Sequence, residues 1–294
     1  MIRLHLVDVT YELFRAHYSP RPEHRAPAGW DAKATAGVVS SLLALLNDPT
    51  EAVSHIAVAF DNPIRSFRND LFAGYKTEEG MDPDLRAQFD PVEEAVRALG
   101  VTVWSMSDFE ADDGLASGAA RFRDEVDQVC ILTPDKDLAQ CLRGERVVQI
   151  DRRQKKLTTE ASFLATRGFA PSSVPDFLAL TGDTADGIPG LKGFGDKSAG
   201  LLLSAYPHLE DIPDDANDWT VKVRGASQLA ETFRQEKEDA VLYRKLATLV
   251  ETAPVSPRLD DLRFAGVPRQ GFESWCERLG VTRLKTVPKR WRDD

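Results

Sequence analysis

His55-Ile56-Ala57-Val58-Ala59-Phe60 is an unbroken apolar run that stops on a carboxylate, Asp61. A run of this length bounded by polar residues predicts a buried strand. The ending recurs along the first half of the chain. Leu4-His5-Leu6-Val7 stops on Asp8, and Val101-Thr102-Val103-Trp104 leads to Glu110-Ala111-Asp112-Asp113. Val129-Cys130-Ile131-Leu132 leads through Thr133-Pro134 to Asp135-Lys136-Asp137, and Val147-Val148-Gln149-Ile150 predicts a fifth strand. Between the strands, residues 34–46 carry apolar side chains at helical spacing. So do Leu85, Phe89, Val92, Val96 and Leu99, where Gly100 predicts the helix end. Strands separated by helices predict an α/β fold, a mostly parallel sheet covered on both faces. After about Asp151 the pattern changes. From Thr159 onward helical segments dominate, including a charge-rich stretch from Trp219 to Val250, so the expected division is 1–155 and 156–294.

The chain has 294 residues, 42% of them hydrophobic, which suffices for a core and excludes wholesale disorder. Its 37 Lys and Arg stand against 47 Asp and Glu, a formal charge of −10 that by itself argues against a protein that coats phosphates. The three cysteines are widely spaced, with neither a disulfide framework nor a CxxC pair, and Cys130 reads as a small buried hydrophobe. Arg3 and His5 interrupt the N-terminal apolar stretch, which therefore does not read as a signal peptide. The apolar segment from Ala34 to Leu46 falls short of the ~20 residues a membrane span needs. The expectation is a soluble cytoplasmic monomer without membrane contact. The acidic run from Asp211 to Asp218 reads as a solvated loop.

The acidic residues are grouped. Ligands of open α/β sheets bind outside the carboxyl ends of the strands. That edge would collect Asp8, Asp61, Glu110, Asp112, Asp113, Asp135 and Asp137. Asp183 and Asp186 follow in Gly182-Asp183-Thr184-Ala185-Asp186, and their i,i+3 spacing faces both the same way if the turn is helical. The plain alternative for any one Asp after a strand is a helix N-cap or a turn. Thr133-Pro134 itself has the form of an N-cap followed by proline at the first helical position. Recurrence at successive strand ends favours a shared role. Clustered carboxylates repel one another, and Mg²⁺ or Mn²⁺ are the natural compensation because they prefer oxygen ligands. The scarcity of histidine argues against zinc. Two adjacent acidic metal sites suit in-line phosphoryl chemistry.

Gly190-Leu191-Lys192-Gly193-Phe194-Gly195-Asp196-Lys197-Ser198-Ala199 is a second chemical segment. Its glycines allow a ligand to approach the backbone, and a helix predicted to begin near Asp196 would offer free N–H groups and a positive dipole end. Lys192 and Lys197 add charge, so the segment reads as a sequence-independent grip on DNA phosphates. The alternative is a structural turn between helices. Phe67-Arg68-Asn69-Asp70-Leu71-Phe72-Ala73-Gly74-Tyr75-Lys76 follows the Asp61 strand. Arg68 and Lys76 could meet phosphates and Tyr75 could stack on a base, against the alternative of an amphipathic helix with Phe67, Leu71 and Phe72 in the core. Arg15 is a similar basic residue beyond Asp8.

Taken together, Leu6-Val7-Asp8, Phe60-Asp61, Phe67-Arg68 through Tyr75-Lys76, Glu110-Ala111-Asp112-Asp113, Asp135-Lys136-Asp137 and Gly182 to Ala199 resemble the 5′–3′ exonuclease/flap endonuclease family, in the family's order. The resemblance extends to the N-terminal nuclease domain of bacterial DNA polymerase I. It implies a PIN-like core followed by a helical region with a helix–three-turn–helix DNA-binding motif. It implies hydrolysis of DNA near 5′ ends, nicks and 5′ flaps. Asp8, Asp61, Glu110, Asp112 and Asp113 match the first metal group, and Asp135, Asp137, Asp183 and Asp186 the second. Lys76 and Arg68 match residues that contact the reacting phosphate, and Tyr75 an aromatic that stacks on a displaced nucleotide. Arg15, Tyr75, Lys192, Gly193, Gly195, Lys197 and Ser198 are the expected DNA-binding residues. The resemblance also implies K⁺ held by backbone carbonyls around Gly190 to Gly195. The departures are Val9 where glycine is common, Gly187 where asparagine is usual, and Thr77-Glu78-Glu79 where a basic residue follows the Tyr-Lys pair.

The leading expectation is therefore a stand-alone, Mg²⁺-dependent 5′–3′ exonuclease and 5′-flap endonuclease using two metal ions. The competing readings are a PIN-like ribonuclease and a non-catalytic DNA-structure binder. The charge also reads differently. Removing the nine candidate ligands from the 47 acidic residues leaves 38 against 37 basic ones. The excess acidity thus lies where metal ions would neutralise it.

Overall fold

A computed structural model describes residues 1–292. In chain order the elements are β1 Arg3–Asp8, α1 Val9–His17, α2 Lys33–Leu46, β2 His55–Asp61, α3 Arg68–Leu71, α4 Pro83–Arg86, α5 Phe89–Ala98, β3 Thr102–Met106, α6 Ala111–Phe122 and β4 Gln128–Leu132. They continue with β5 Val147–Asp151, β6 Lys156–Thr158, α7 Glu160–Arg167, α8 Val174–Thr181, α9 Asp196–Ala205, α10 Ala226–Gln235, α11 Lys237–Ala247, β7 Val267–Pro268, α12 Arg269–Leu279 and β8 Trp291–Arg292.

The chain forms two compact units. One comprises 1–65, 78–133 and 251–294; the other comprises 66–77 and 134–250. The chain thus enters the second unit twice, first through the short segment that contains α3. Residue 155 lies in the turn of an antiparallel hairpin, because β5 pairs with β6 and Lys155 takes a left-handed φ of 53°.

In the first unit β1 to β4 are parallel in the order β3-β2-β1-β4. β2 is buried along its whole length, as its unbroken apolar sequence requires when both faces are covered. Parallel register places Asp8 beside Ala59, and Asp61 beside Met106, at the carboxyl edge. Helices start from that edge. Asp8 is the N-cap of α1, accepting from the Tyr11 N–H at 2.8 Å. Glu110 and Asp113 form a capping box at α6.

The helix expected from Leu85 to Leu99 is broken into α4 and α5 at Gln88. This side chain is fully buried, and its amide oxygen accepts from the Thr35 N–H (3.0 Å) and Oγ1 (3.2 Å). It supplies a tertiary cap to α2, whose own N-cap position, Ala32, has no side-chain oxygen. Gly100 ends α5 as its sequence predicts, with φ 75°.

The second unit is mainly helical. Its core gathers Phe177, Leu178 and Leu180 of α8, Leu202 and Leu203 of α9, Phe233 of α10 and Leu246 of α11. The stretch from Trp219 to Val250 is not helical throughout. Helix begins only at Ala226, after Gly225 at φ 75°. α7 opens with reciprocal Thr159 and Ser162 bonds and closes on Gly168 in the left-handed region. Cys130, Cys141 and Cys276 are all buried thiols. Asp211, Asp214, Asp215 and Asp218 are exposed, in keeping with a solvated loop. Among the described residues no helix is long and apolar enough to cross a membrane.

Candidate metal centre and nucleic-acid interface

The first unit contributes five of the expected carboxylates. Asp8 Oδ1 caps α1, and its Oδ2 accepts from Thr133 Oγ1 at 3.0 Å. Thr133 is therefore not the N-cap that Thr133-Pro134 suggested. Its hydroxyl joins the end of β4 to the end of β1, and Asp135 caps the next 3₁₀ turn by accepting from the Asp137 N–H at 2.9 Å. Asp61 Oδ1 accepts from the Ala111 N–H at 2.7 Å, so the end of β2 is held on the N-terminus of α6. The Asp61 N–H in turn donates to Thr10 Oγ1 at 2.9 Å. Asp113 Oδ2 accepts from the Glu110 N–H at 3.0 Å. Asp8, Asp61, Glu110 and Asp113 are buried, and Asp112 is partly exposed. The N-cap reading of a strand-end Asp is thus realised in Asp8. Asp8 uses one oxygen as a cap and turns the other along the carboxyl edge.

The second unit draws its carboxylates closer. Asp137, Asp183 and Asp186 each offer an oxygen, and all three lie within 4.8 Å of one another. Among the described residues this is the one group of three acidic, His or Cys side chains with that spacing. The turn that carries Asp183 and Asp186 is not helical, contrary to the condition set on their i,i+3 spacing. Asp183 and Ile188 exchange two backbone hydrogen bonds of 2.8 Å, and that tight loop brings the two side chains round to Asp137. Asp135 is not one of the three, although it caps the turn that presents Asp137.

Asp137 is 6% exposed, and its Oδ1 is buried without a hydrogen-bond partner. Burial, followed by the charges of Asp135, Asp186 and Asp183, pushes its carboxyl well above the ordinary range, with Lys136 opposing. A buried carboxylate oxygen without a partner, on a side chain beside two other carboxylates, is costly unless a cation or proton offsets it. An all-oxygen donor set of this kind fits a hard divalent ion.

Two ammonium groups stand against this cluster. Lys76 Nζ lies 3.0 Å from Asp186 Oδ1, and the Lys76 N–H donates to the Asp186 carbonyl at 3.0 Å. Lys136 Nζ lies 2.8 Å from Asp183 Oδ2. Burial lowers the Lys136 pKa, but the Asp183 hydrogen bond and the surrounding carboxylates outweigh it and leave the pKa raised. Within the Asp135-Lys136-Asp137 motif the sequence alone assigns Lys136 no role. Its signal was its place between two carboxylates.

Arg68 and Tyr75 are not displayed to a substrate. Arg68 is 1% exposed. Its Nε donates to the Leu246 carbonyl at 2.7 Å and its Nη2 to the Thr248 carbonyl at 3.0 Å, closing the C-terminal end of α11. Tyr75 is 3% exposed within the helical core. The segment around them is not the amphipathic helix of the alternative reading either. It makes one helical turn, and Leu71 stays exposed. Asn69 closes this loop, accepting from the Ser66 N–H and donating to the Lys76 carbonyl, each at 2.9 Å. Arg15 is engaged by Glu12 and by Ser41 Oγ within the first unit.

The Gly-rich segment joins α8 to α9. The Leu191 N–H donates to the Leu180 carbonyl at 2.9 Å, which folds the loop back on α8. Lys192, Gly193, Gly195 and Lys197 are exposed, and Ser198 is half-buried. Ser198 Oγ accepts from the Gly195 N–H at 3.0 Å. Gly187, where asparagine was expected, has φ 75°, and a Cβ there would lie 2.2 Å from the Gly74 carbonyl oxygen. Its lack of a side chain lets the Lys76 loop lie against the Asp186 turn.

The profile of the 5′–3′ exonuclease N-terminal, resolvase-like domain matches residues 3–168, and that of the 5′–3′ exonuclease C-terminal SAM fold matches residues 169–270. The chain belongs to the 5′–3′ exonuclease family, a class of nucleases. The 5′–3′ exonuclease of Aquifex aeolicus is 30% identical over 290 residues, covering 98% of this chain and 95% of that protein. DNA polymerase I of Mycobacterium leprae is 33% identical over 265 residues. That match covers 88% of this chain but 28% of the polymerase, so the chain spans little more than a quarter of such relatives. The T5 D15 protein co-crystallised with metal ions has a TM-score of 0.65 at 16% identity, covering 96% of this chain and 99% of that one. The catalytic core of Rad2 in complex with DNA substrate has a TM-score of 0.60 at 14% identity, covering 95% and 88%. At these identities the two structures establish the shared fold.

Proposed function

We propose that the protein is a metal-dependent 5′–3′ exonuclease and structure-specific 5′-flap endonuclease that hydrolyses DNA phosphodiesters by a two-metal-ion mechanism. The observation that carries this reading is the meeting of Asp137, Asp183 and Asp186, together with the buried, unpartnered Oδ1 of Asp137. Asp137, Asp183 and Asp186, with Asp135 beside them, are the residues to hold one ion, and Asp8, Asp61, Glu110, Asp112 and Asp113 the residues to hold the other. Mg²⁺ is the proposed ion, with Mn²⁺ as a substitute. Divalent ions at such sites lower the pKa of water and offset charge on the leaving oxygen.

The chain's own groups prepare that chemistry. Thr133 and the Ala111 N–H fix one oxygen each of Asp8 and Asp61, so that these carboxylates are oriented before a ligand arrives. Lys76 carries a positive charge beside the Asp186 carboxylate, where it can offset charge that develops on a phosphate. The exposed Lys192, Gly193, Gly195 and Lys197, with Ser198 at the start of α9, support a grip on DNA backbone phosphates without base reading. K⁺ is proposed at the carbonyls around Gly190 to Gly195. DNA with 5′ ends, nicks or flaps is the proposed substrate, and a cytoplasmic monomer the proposed state. The DNA-bound Rad2 core and the metal-bound T5 protein support the reading through the fold they share with this chain.

The test is cleavage of end-labelled 5′-flap and nicked duplexes with Mg²⁺, with Mn²⁺ and with EDTA. Metal-dependent release of short 5′ products is expected. Cleavage that survives chelation, or none with either ion, rejects the proposal. Faster cleavage of matched RNA flaps would favour the ribonuclease reading instead.

A further inference from the structure

The three carboxylates that meet in the second unit are not equally available. Asp183 has both oxygens engaged: Oδ1 accepts from the Ala185 N–H at 2.9 Å, and Oδ2 faces Lys136 Nζ at 2.8 Å. Asp186 Oδ1 faces Lys76 Nζ at 3.0 Å. The two lysines are held differently. The Lys76 side chain is 25% exposed, and its backbone N–H is bonded to the Asp186 carbonyl. Lys136 is 59% exposed and makes no other side-chain bond among the described residues. The Lys136 stem is long and solvated, so its ammonium can leave for water while the buried Asp183 oxygen passes to the arriving ion.

We propose that Lys136 is a displaceable counter-ion that competes with a divalent cation for Asp183 and so sets the affinity of this cluster for metal. The proposal rests on the reading of Asp137, Asp183 and Asp186 as metal ligands. When no divalent ion is bound, the ammonium satisfies Asp183 Oδ2 and reduces repulsion among the carboxylates. When an ion arrives, it must take that oxygen from Lys136, whose charge also repels it. Lys136 is thus a residue that tunes the site without ligating, and Lys76, anchored through its backbone, remains beside Asp186 in both states.

The test is Mn²⁺ binding to the 294-residue chain, followed by isothermal titration calorimetry and by loss of the free-ion electron paramagnetic resonance signal, without DNA or turnover. Four forms are compared: the natural protein, Lys136→Met, Lys136→Arg and Asp183→Asn. Lys136→Met keeps the stem and removes the charge. It should bind the Asp183-dependent ion roughly three- to tenfold more tightly, the change expected when a half-exposed charge facing a divalent ion is lost. Lys136→Arg should stay within about twofold of the natural protein, because the charge is retained. The Met effect should vanish in the Asp183→Asn background, where there is no shared oxygen to contest. Equal affinity of Lys136→Met and the natural protein overturns the proposal while leaving the metal site standing. Weaker binding by Lys136→Met also overturns it, since Lys136 would then assist the ion. If Asp183→Asn binds Mn²⁺ as the natural protein does, both the competition and the assignment of these carboxylates as ligands fail.

Discussion

Arg68 separates a structural from a catalytic reading most sharply. The family pattern places it against the reacting phosphate, whereas the structure buries it to 1% exposure and spends its guanidinium on the Leu246 and Thr248 carbonyls. Carbonyls in the last turn of a helix have no partner within the helix, and Arg68 satisfies two of them at the end of α11. Arg68→Met keeps most of the side-chain volume and removes the donors. Each lost charged hydrogen bond is worth about 1.5–3 kcal/mol, so a loss of about 3–5 kcal/mol is expected for the pair, allowing for partial rehydration of the carbonyls. That is a large share of the ~5–15 kcal/mol that holds an ordinary domain folded. The assay is equilibrium urea denaturation followed by tryptophan fluorescence and far-UV circular dichroism, alongside single-turnover cleavage of a 5′-flap duplex at a temperature where the variant is folded. The midpoint should fall steeply, and the folded fraction should retain cleavage within about an order of magnitude. An unchanged midpoint with cleavage reduced by a thousandfold or more would refute the structural reading and return Arg68 to the phosphate.

Other outcomes follow from particular contacts. Gly187→Asn restores the family's usual residue but sets a Cβ 2.2 Å from the Gly74 carbonyl, so it should cost about 1–3 kcal/mol and loosen Lys76. A variant that melts at or above the natural temperature would show that the loop relaxes freely. Asp137→Asn removes a buried charge from the carboxylate cluster and should raise the melting temperature of the metal-free protein. It should also remove the share of Mn²⁺ stabilisation that comes from this cluster, about 2.7 kcal/mol at a hundredfold excess over its Kd. Undiminished thermal stabilisation by Mn²⁺ would count against Asp137 as a ligand. In the second unit Glu210 accepts from Arg244 at 2.6 Å, and the guanidinium holds its carboxyl down at about 2. A depressed carboxyl contributes stability that is complete above its ordinary pKa near 4.5 and is lost as pH falls toward 2. Glu210→Gln should flatten that part of the stability–pH curve, and curves that superimpose between pH 5 and 2 would reject the assignment.

Where the chain's chemistry is local, the residues alone sufficed to read it. The apolar runs ending at Asp8 and Asp61 are strands, and both carboxylates sit at the carboxyl edge of parallel strands. Gly100 and Gly168 end helices because a left-handed residue costs glycine little. The motifs of the acidic segments and of the Gly-rich loop carry the family in their order and spacing. Reading failed where a residue's role depends on what lies far along the chain. Gln88 breaks its own helix to cap α2, which no local propensity reports. Asp183 and Asp186 share a face through a tight non-helical turn.

By itself, then, the sequence determined the alternation of strands and helices, the positions of the acidic groups and the family. These depend on periodicity, turn chemistry and motif order, which lie within a few residues of one another. The burial of Arg68 and Tyr75, the convergence of three particular aspartates and the placement of Lys76 and Lys136 against them emerge only once the chain has folded. Burial and ion pairing depend on which distant segments meet. Arg68 reaches its carbonyls across 178 and 180 residues, and Lys76 meets Asp186 only because residues 66–77 fold into the second unit.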